Sequence, residues 1–224
     1  MAFNAVCEGN FITWENHTMK QLWKAALWAS IITIVYNVAE GIVSVFFGYS
    51  DETLSLFGFG LDSFVEVISG VGVLHLVVRS MANPAERDAF ERIALRITGT
   101  SFYLLTTGLV VSAAVSIYSG NRPSTTVRGI IISLISIVTM IVLMKFKMNI
   151  GRKLNSDAVI ADAACTRTCI YLSIVLLVAS VLYEIFKIGY FDSIGALGIA
   201  WYAFGEGREA FEKAKGKSCG CCCK

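Results

Sequence analysis

Apolar residues run along this chain in six long blocks, separated by short connections that hold most of the charged side chains. A helix that crosses a bilayer needs about 20 predominantly apolar residues. Windows of this kind fall at Leu22–Phe47, Leu54–Val78, Ile97–Tyr118, Val127–Phe146 and Ala158–Phe186, with a shorter one at Phe191–Phe204. The last block continues through "GEGREAFEKA", so its helix is expected to run on past the membrane into water. The pattern predicts an all-α fold, a bundle of six transmembrane helices. Two prolines and no Ser- or Pro-rich run leave no linker between separate domains. The expected organisation is an amphipathic N-terminal segment over 1–21, a six-span membrane domain over 22–211 and a tail over 212–224.

Composition agrees with this pattern. Hydrophobic residues make up 55% of the chain and charged residues only 16%, and the mean hydropathy is +0.65, outside the range of a soluble domain. An integral, multi-pass protein of the inner or plasma membrane is expected, with the lipid bilayer as its surroundings and no room for a soluble catalytic domain. The chain is therefore not expected to be an enzyme, and nothing in it supports nucleic-acid binding. The net charge of +2 is uninformative, because in a membrane chain the placement of Lys and Arg matters more than their sum. One set of connections carries Lys20, Lys24, Arg79, Arg87, Arg92, Arg96, Lys145, Lys147, Arg152, Lys153, Arg208, Lys213, Lys215, Lys217 and Lys224; the other holds Arg122, Arg128 and Lys187. By the positive-inside rule both termini are expected in the cytoplasm. The mixed segment before the first span is unlike a signal-peptide n-region, so no cleavable signal is expected.

Chemistry concentrates in two spans. "GFGLDSFVEVIS" places Asp62 and Glu66 one helical turn apart inside the second block. A carboxylate at such depth costs several kcal/mol, about 3 on insertion scales, which makes it a functional candidate. "ADAACTRTC" in the fifth block brings Asp162, Cys165 and Cys169 within roughly 60° of one another at about 100° per residue. Two helices that each offer two ligand-capable side chains a turn apart can supply a four-coordinate metal site. The competing readings are that the cysteines are small buried hydrophobes, and that the acids form a polar helix interface or partner a buried Arg. Arg167 projects away from Asp162 and is expected to meet Glu40, another helix or the headgroup level. Glu40, with Tyr36 and Asn37, lies inside the first span as a candidate auxiliary site, proton relay or structural hydrogen-bonder. His75 is expected near the interface rather than as a ligand, and Gly195, Gly198, Gly205 and Gly207 are expected to allow close helix packing.

These residues resemble the transmembrane domain of the cation diffusion facilitator family, proton-coupled exporters of zinc and related divalent metals. That family carries an acid or His, three residues and an Asp on its second helix, matched by Asp62 and Glu66. Its fifth helix typically reads Ala-Asp, two residues, His, three residues, Asp; "ADAACTRTC" keeps Ala161 and Asp162 and has Cys165 and Cys169 in the metal-binding places. "FDSIGALGIA" is similar to the opening of the family's sixth helix, with Ser193 in place of Pro, and "YNVAEGIVSVFFGYSDETLSLFGFGLDS" is similar to a short subgroup with a Cys-rich tail. Most members add a cytoplasmic metallochaperone-like domain that holds a dimer together; the sequence here stops soon after helix six, which leaves a homodimer open rather than required.

The resemblance implies metal export in exchange for protons, with Asp62, Glu66, Cys165 and Cys169 as the binding set and Asp162, Glu40 and Asn37 as neighbours or entry-path groups. No resident cofactor is expected, only a transported divalent cation such as zinc or cadmium, since thiolates favour soft ions over manganese or magnesium. Copper(I) and ferrous iron stay open. The tail "GKSCGCCCK" crowds Cys219, Cys221, Cys222 and Cys223 beside lysines that favour thiolate, a candidate for metal capture; palmitoylation or an adventitious tail are its alternatives. Two other classes of function compete: a metal-sensing or scaffolding membrane protein, and a thiol oxidoreductase, although C-x-x-x-C lacks the spacing of the C-x-x-C redox motif.

Overall fold

The computed structural model describes residues 2–50, 54–119, 127–186 and 190–216. They form six helices, α1 (Ala2–Ser50), α2 (Leu54–Ala82), α3 (Arg87–Ser119), α4 (Val127–Leu154), α5 (Asp157–Phe186) and α6 (Tyr190–Ala214), with a short 3₁₀ turn at Pro84–Glu86 and no strand among the described residues. α1 through α5 each contain a stretch long and apolar enough to cross a membrane; α6 is not among them within the described residues. The predicted continuation of α6 beyond Phe204 is present, and α1 runs unbroken from the N-terminal segment into the first span.

Helix ends follow local chemistry. α2 stops before Asn83, whose extended backbone (φ −130°, ψ 81°) is what a following Pro imposes. α4 ends at Asn155, in the left-handed region at φ 49°, with the Ser156 N–H bonded to Gly151 O at 2.9 Å and the Asn155 N–H to Arg152 O at 3.2 Å. That is a Schellman ending with Asn in the place usually held by Gly. Ser156 then caps α5 through Val159 N–H. The start of α3 clamps this turn: Arg87 donates to Leu154 O and Asn155 O, and Glu91 accepts from the Ser156 hydroxyl and from Ala158 N–H at 2.6 Å.

The helices pair closely as α1 with α2, α3 with α6 and α4 with α5, while α2 and α5 also touch each other and α3. Small residues permit the tightest approaches. A Cβ on Gly60 would lie 2.8 Å from Val45 N and 3.0 Å from Gly41 O, and one on Gly207 would lie 3.0 Å from Phe102 Cβ. Gly195 packs on Val175 as expected, but among the described residues nothing comes within 4 Å of a Cβ placed on Gly198 or Gly205. Large apolar side chains such as Trp28, Val35, Val138, Val142 and Trp201 cover the outside, as a lipid-facing surface requires. An apolar cluster of Leu76, Val77, Leu95, Leu154 and Ala158 closes the interior at the end that holds the α4–α5 turn.

Candidate metal centre

Above that apolar plug the interior is polar. α2 and α5 run antiparallel, so numbers that rise along one fall along the other. Asp62 lies against Cys169, within hydrogen-bonding reach of its thiol. One turn on, Glu66 accepts a short hydrogen bond from Thr166, with Cys165 close enough to feel the charges of Glu66, Asp162 and Asp62. A further turn brings the Ser69 hydroxyl to Asp162 Oδ1 at 2.7 Å. The register follows from helix geometry: residues at i, i+4 and i+7 share a face, and each face holds the other's complement in the same order. All of these side chains are buried, with Asp62 at 4% exposure and Glu66 at 0%.

The four predicted ligands thus share one compartment without closing into a set. Among the described residues no three His, Cys, Asp or Glu side chains converge closely enough to hold an ion. Glu66 Oε1 is taken by Thr166 and by Lys147, the latter 3.4 Å away. Glu66 Oε2 and Asp62 Oδ1 are buried without a hydrogen-bond partner. An unsatisfied buried acceptor costs about 1–3 kcal/mol, and an arriving cation would relieve it. Cys165 and Cys169 are both free thiols.

Lys147 is the residue that sequence reasoning missed. It was expected in a solvated connection, with α4 ending at Phe146; α4 instead runs to Leu154 and Lys147 is 2% exposed. Its ammonium bonds Asp162 Oδ2 at 2.9 Å and Thr166 Oγ1 at 2.8 Å. The available signal was spacing. Ser133, Ser136, Met140, Leu143, Lys147, Ile150 and Leu154 form one buried stripe at helical intervals, whereas Lys145 and Arg152 fall off it and are exposed.

The remaining candidates occupy separate places. Glu40 accepts from Tyr36 at 3.0 Å and from Ser63 at 3.1 Å, which ties α1 to α2 next to Asp62. Asn37 turns back to Thr33 O on its own helix. Arg167 meets another helix, pairing with Glu206 of α6 at 2.9 Å and lying over the Tyr202 ring, so Glu40 is not its partner. His75 packs edge-on against Phe90, away from the acids. The tail cysteines Cys219, Cys221, Cys222 and Cys223 lie outside the described residues, as does the side chain of Ser193.

The model of the cation efflux transmembrane domain matches residues 29–215, most of the chain and the whole of the polar interior. The chain belongs to the cation efflux family. It is an integral, multi-pass membrane protein. Among its cation efflux relatives is an uncharacterised transporter of Methanocaldococcus jannaschii, 26% identical over 175 residues, which cover 76% of this chain and 62% of the relative. Another is the manganese efflux system protein MneP of Bacillus subtilis, 26% identical over 140 residues, 60% of this chain and 46% of that protein. The chain therefore spans less than two thirds of the length of either relative.

Proposed function

We propose that the chain is a secondary transporter that exports a divalent transition-metal cation from the cytoplasm in exchange for protons, with both termini on the cytoplasmic side. The observation that carries this reading is the antiparallel register of α2 and α5. It sets two acids and two thiols at matched depth inside a buried compartment, where two carboxylate oxygens have no hydrogen-bond partner. Membership of the cation efflux family and the manganese efflux relative support transport.

Asp62, Glu66, Cys165 and Cys169 form the binding set. Asp162 holds its neighbours in place rather than binding the cation, because both its oxygens are already engaged by Ser69 and Lys147. Zinc or cadmium is the favoured cargo, since two thiolates select soft ions. Thiols and carboxyls must shed protons to bind a divalent ion, so loading releases protons and reprotonation expels the cation. If binding alternates between the two sides of the membrane, this linkage alone exchanges metal for protons. The tail cysteines would capture cations for the inner mouth, and a homodimer is compatible with this reading. The deciding experiment is flux through proteoliposomes containing the full chain, with zinc, cadmium and manganese each tested against a pH indicator on the opposite side. Cation movement with opposed proton movement, lost in Asp62→Ala and in Cys169→Ala, is the expected result. Flux that persists in both variants would sink the site.

A further inference from the structure

Lys147 belongs to α4, yet its ammonium reaches the seam between α2 and α5 and meets acceptors on both helices. It lies 3.4 Å from Glu66 Oε1, 2.9 Å from Asp162 Oδ2 and 2.8 Å from Thr166 Oγ1. An ammonium has three N–H donors, and these three acceptors match them. Lys147, Glu66, Asp162 and Thr166 are each at most 2% exposed, so the ammonium is compensated by these side chains rather than by bulk water. The ammonium and the cargo would compete for one group. Glu66 is a proposed ligand, and the oxygen it gives to Lys147 and Thr166 is lost to a cation. Two positive species held by the same carboxylate in a low-dielectric interior repel strongly.

A carrier that trades metal for protons returns without the cation, with protons on the groups that released them. A carboxylate that stays ionised on that return needs a counter-charge, because uncompensated buried charge is heavily penalised. We propose that Lys147 is a tethered stand-in for the cargo cation: its ammonium occupies Glu66 and Asp162 while the site is empty, and it leaves Glu66 when a cation binds. This rests on the assignment of Glu66 to the binding set made above. Two consequences separate it from a merely structural lysine. Removing the ammonium removes a competitor, so the cation binds more tightly. It also strips the cation-free carrier of its counter-charge, so net transport slows while exchange of bound cation for bound cation, in which the cation-free carrier never has to cross between the two sides, does not.

The test uses the full chain and Cd²⁺ as probe, with Lys147→Met and with Lys147→Gln, which keeps an N–H donor for Thr166 without the charge. In a folded variant the Kd for Cd²⁺ is expected to fall about tenfold or more, with net Cd²⁺ flux slowed and Cd²⁺/Cd²⁺ exchange kept. An unchanged or higher Kd, or net flux and exchange falling together, overturns the proposal. Should neither variant fold, the wild-type chain decides. Solid-state NMR with labelled nitrogen at Lys147 Nζ and labelled carbon at the Glu66 carboxyl should show a contact that vanishes at saturating Cd²⁺, and its persistence overturns the proposal. Asp62→Ala separates the two levels of inference. Undiminished Cd²⁺ binding in that variant removes the site itself, whereas lost binding there without tightening in the Lys147 variants removes only the tethered cation.

Discussion

The Ser69 hydroxyl on α2 donates to Asp162 Oδ1 on α5 at 2.7 Å, and because a hydroxyl has one proton, its 3.0 Å contact with Thr98 on α3 is donated by Thr98. The chain Thr98 to Ser69 to Asp162 ends on the carboxylate that also holds Lys147. Three helices are thus fixed around one acid next to the proposed cation site.

This arrangement orders two substitutions. Ser69→Ala removes one neutral donor to a carboxylate and is expected to cost about 1–2 kcal/mol. Asp162→Ala leaves the buried Lys147 ammonium with Glu66 as its one remaining charged partner among the described residues and is expected to cost about 3–5 kcal/mol. Thermal unfolding of the purified chain in detergent checks the order. Equal losses, or a larger loss in Ser69→Ala, would show that Asp162 is not the anchor of this cluster.

Glu91 caps α5 from a different helix. It accepts Ala158 N–H at 2.6 Å and the Ser156 hydroxyl at 2.8 Å, just below the apolar plug. Glu91→Ala removes a charged cap from a helix N-terminus and is expected to lower stability by about 1–2 kcal/mol while leaving cation selectivity unchanged. A shift in the zinc-to-cadmium flux ratio would mean that the start of α5 sets site geometry more directly than these contacts suggest.

The six helices were legible because apolar blocks carry most of the information that a bilayer demands, and the acids and thiols stood out as costly exceptions within them. That the acid pair of α2 and the thiol pair of α5 lie at similar depth could be expected because one-turn spacing on each helix survives translation from sequence to structure. Lys147 could not be read in the same way. In "MKFKMNIGRKL" a basic residue two positions from another looks like a connection, and only the buried stripe from Ser133 to Leu154 separates Lys147 from Lys145. The pairing of Arg167 with Glu206 was likewise hidden, since it depends on how α5 and α6 face each other and on no periodicity within either.

Selectivity should follow the donors. The sequence resembles a family that has His and Asp where Cys165 and Cys169 stand, so Cys165→His combined with Cys169→Asp exchanges two soft donors for harder ones. Cadmium flux is expected to fall relative to zinc and manganese by about tenfold or more. Flux ratios in a proteoliposome panel measure this directly, and an unaltered ratio would mean that neither thiol touches the cargo.

Proton exchange has a definite sign at such a site. Each thiol or carboxyl that carries a proton in the empty site must give it up to bind the cation, so protons and cation compete and affinity should rise with pH. Kd for cadmium is expected to fall by about tenfold per pH unit for each proton released on binding. The slope of log Kd against pH therefore counts those protons, and Cys165→Ala and Cys169→Ala should each flatten it if that thiol is a ligand. Calorimetry in buffers of different ionisation enthalpy gives the same count independently. A cadmium affinity that does not change with pH would leave the cation bound by groups already deprotonated, and transport would then have no protons to trade at this site.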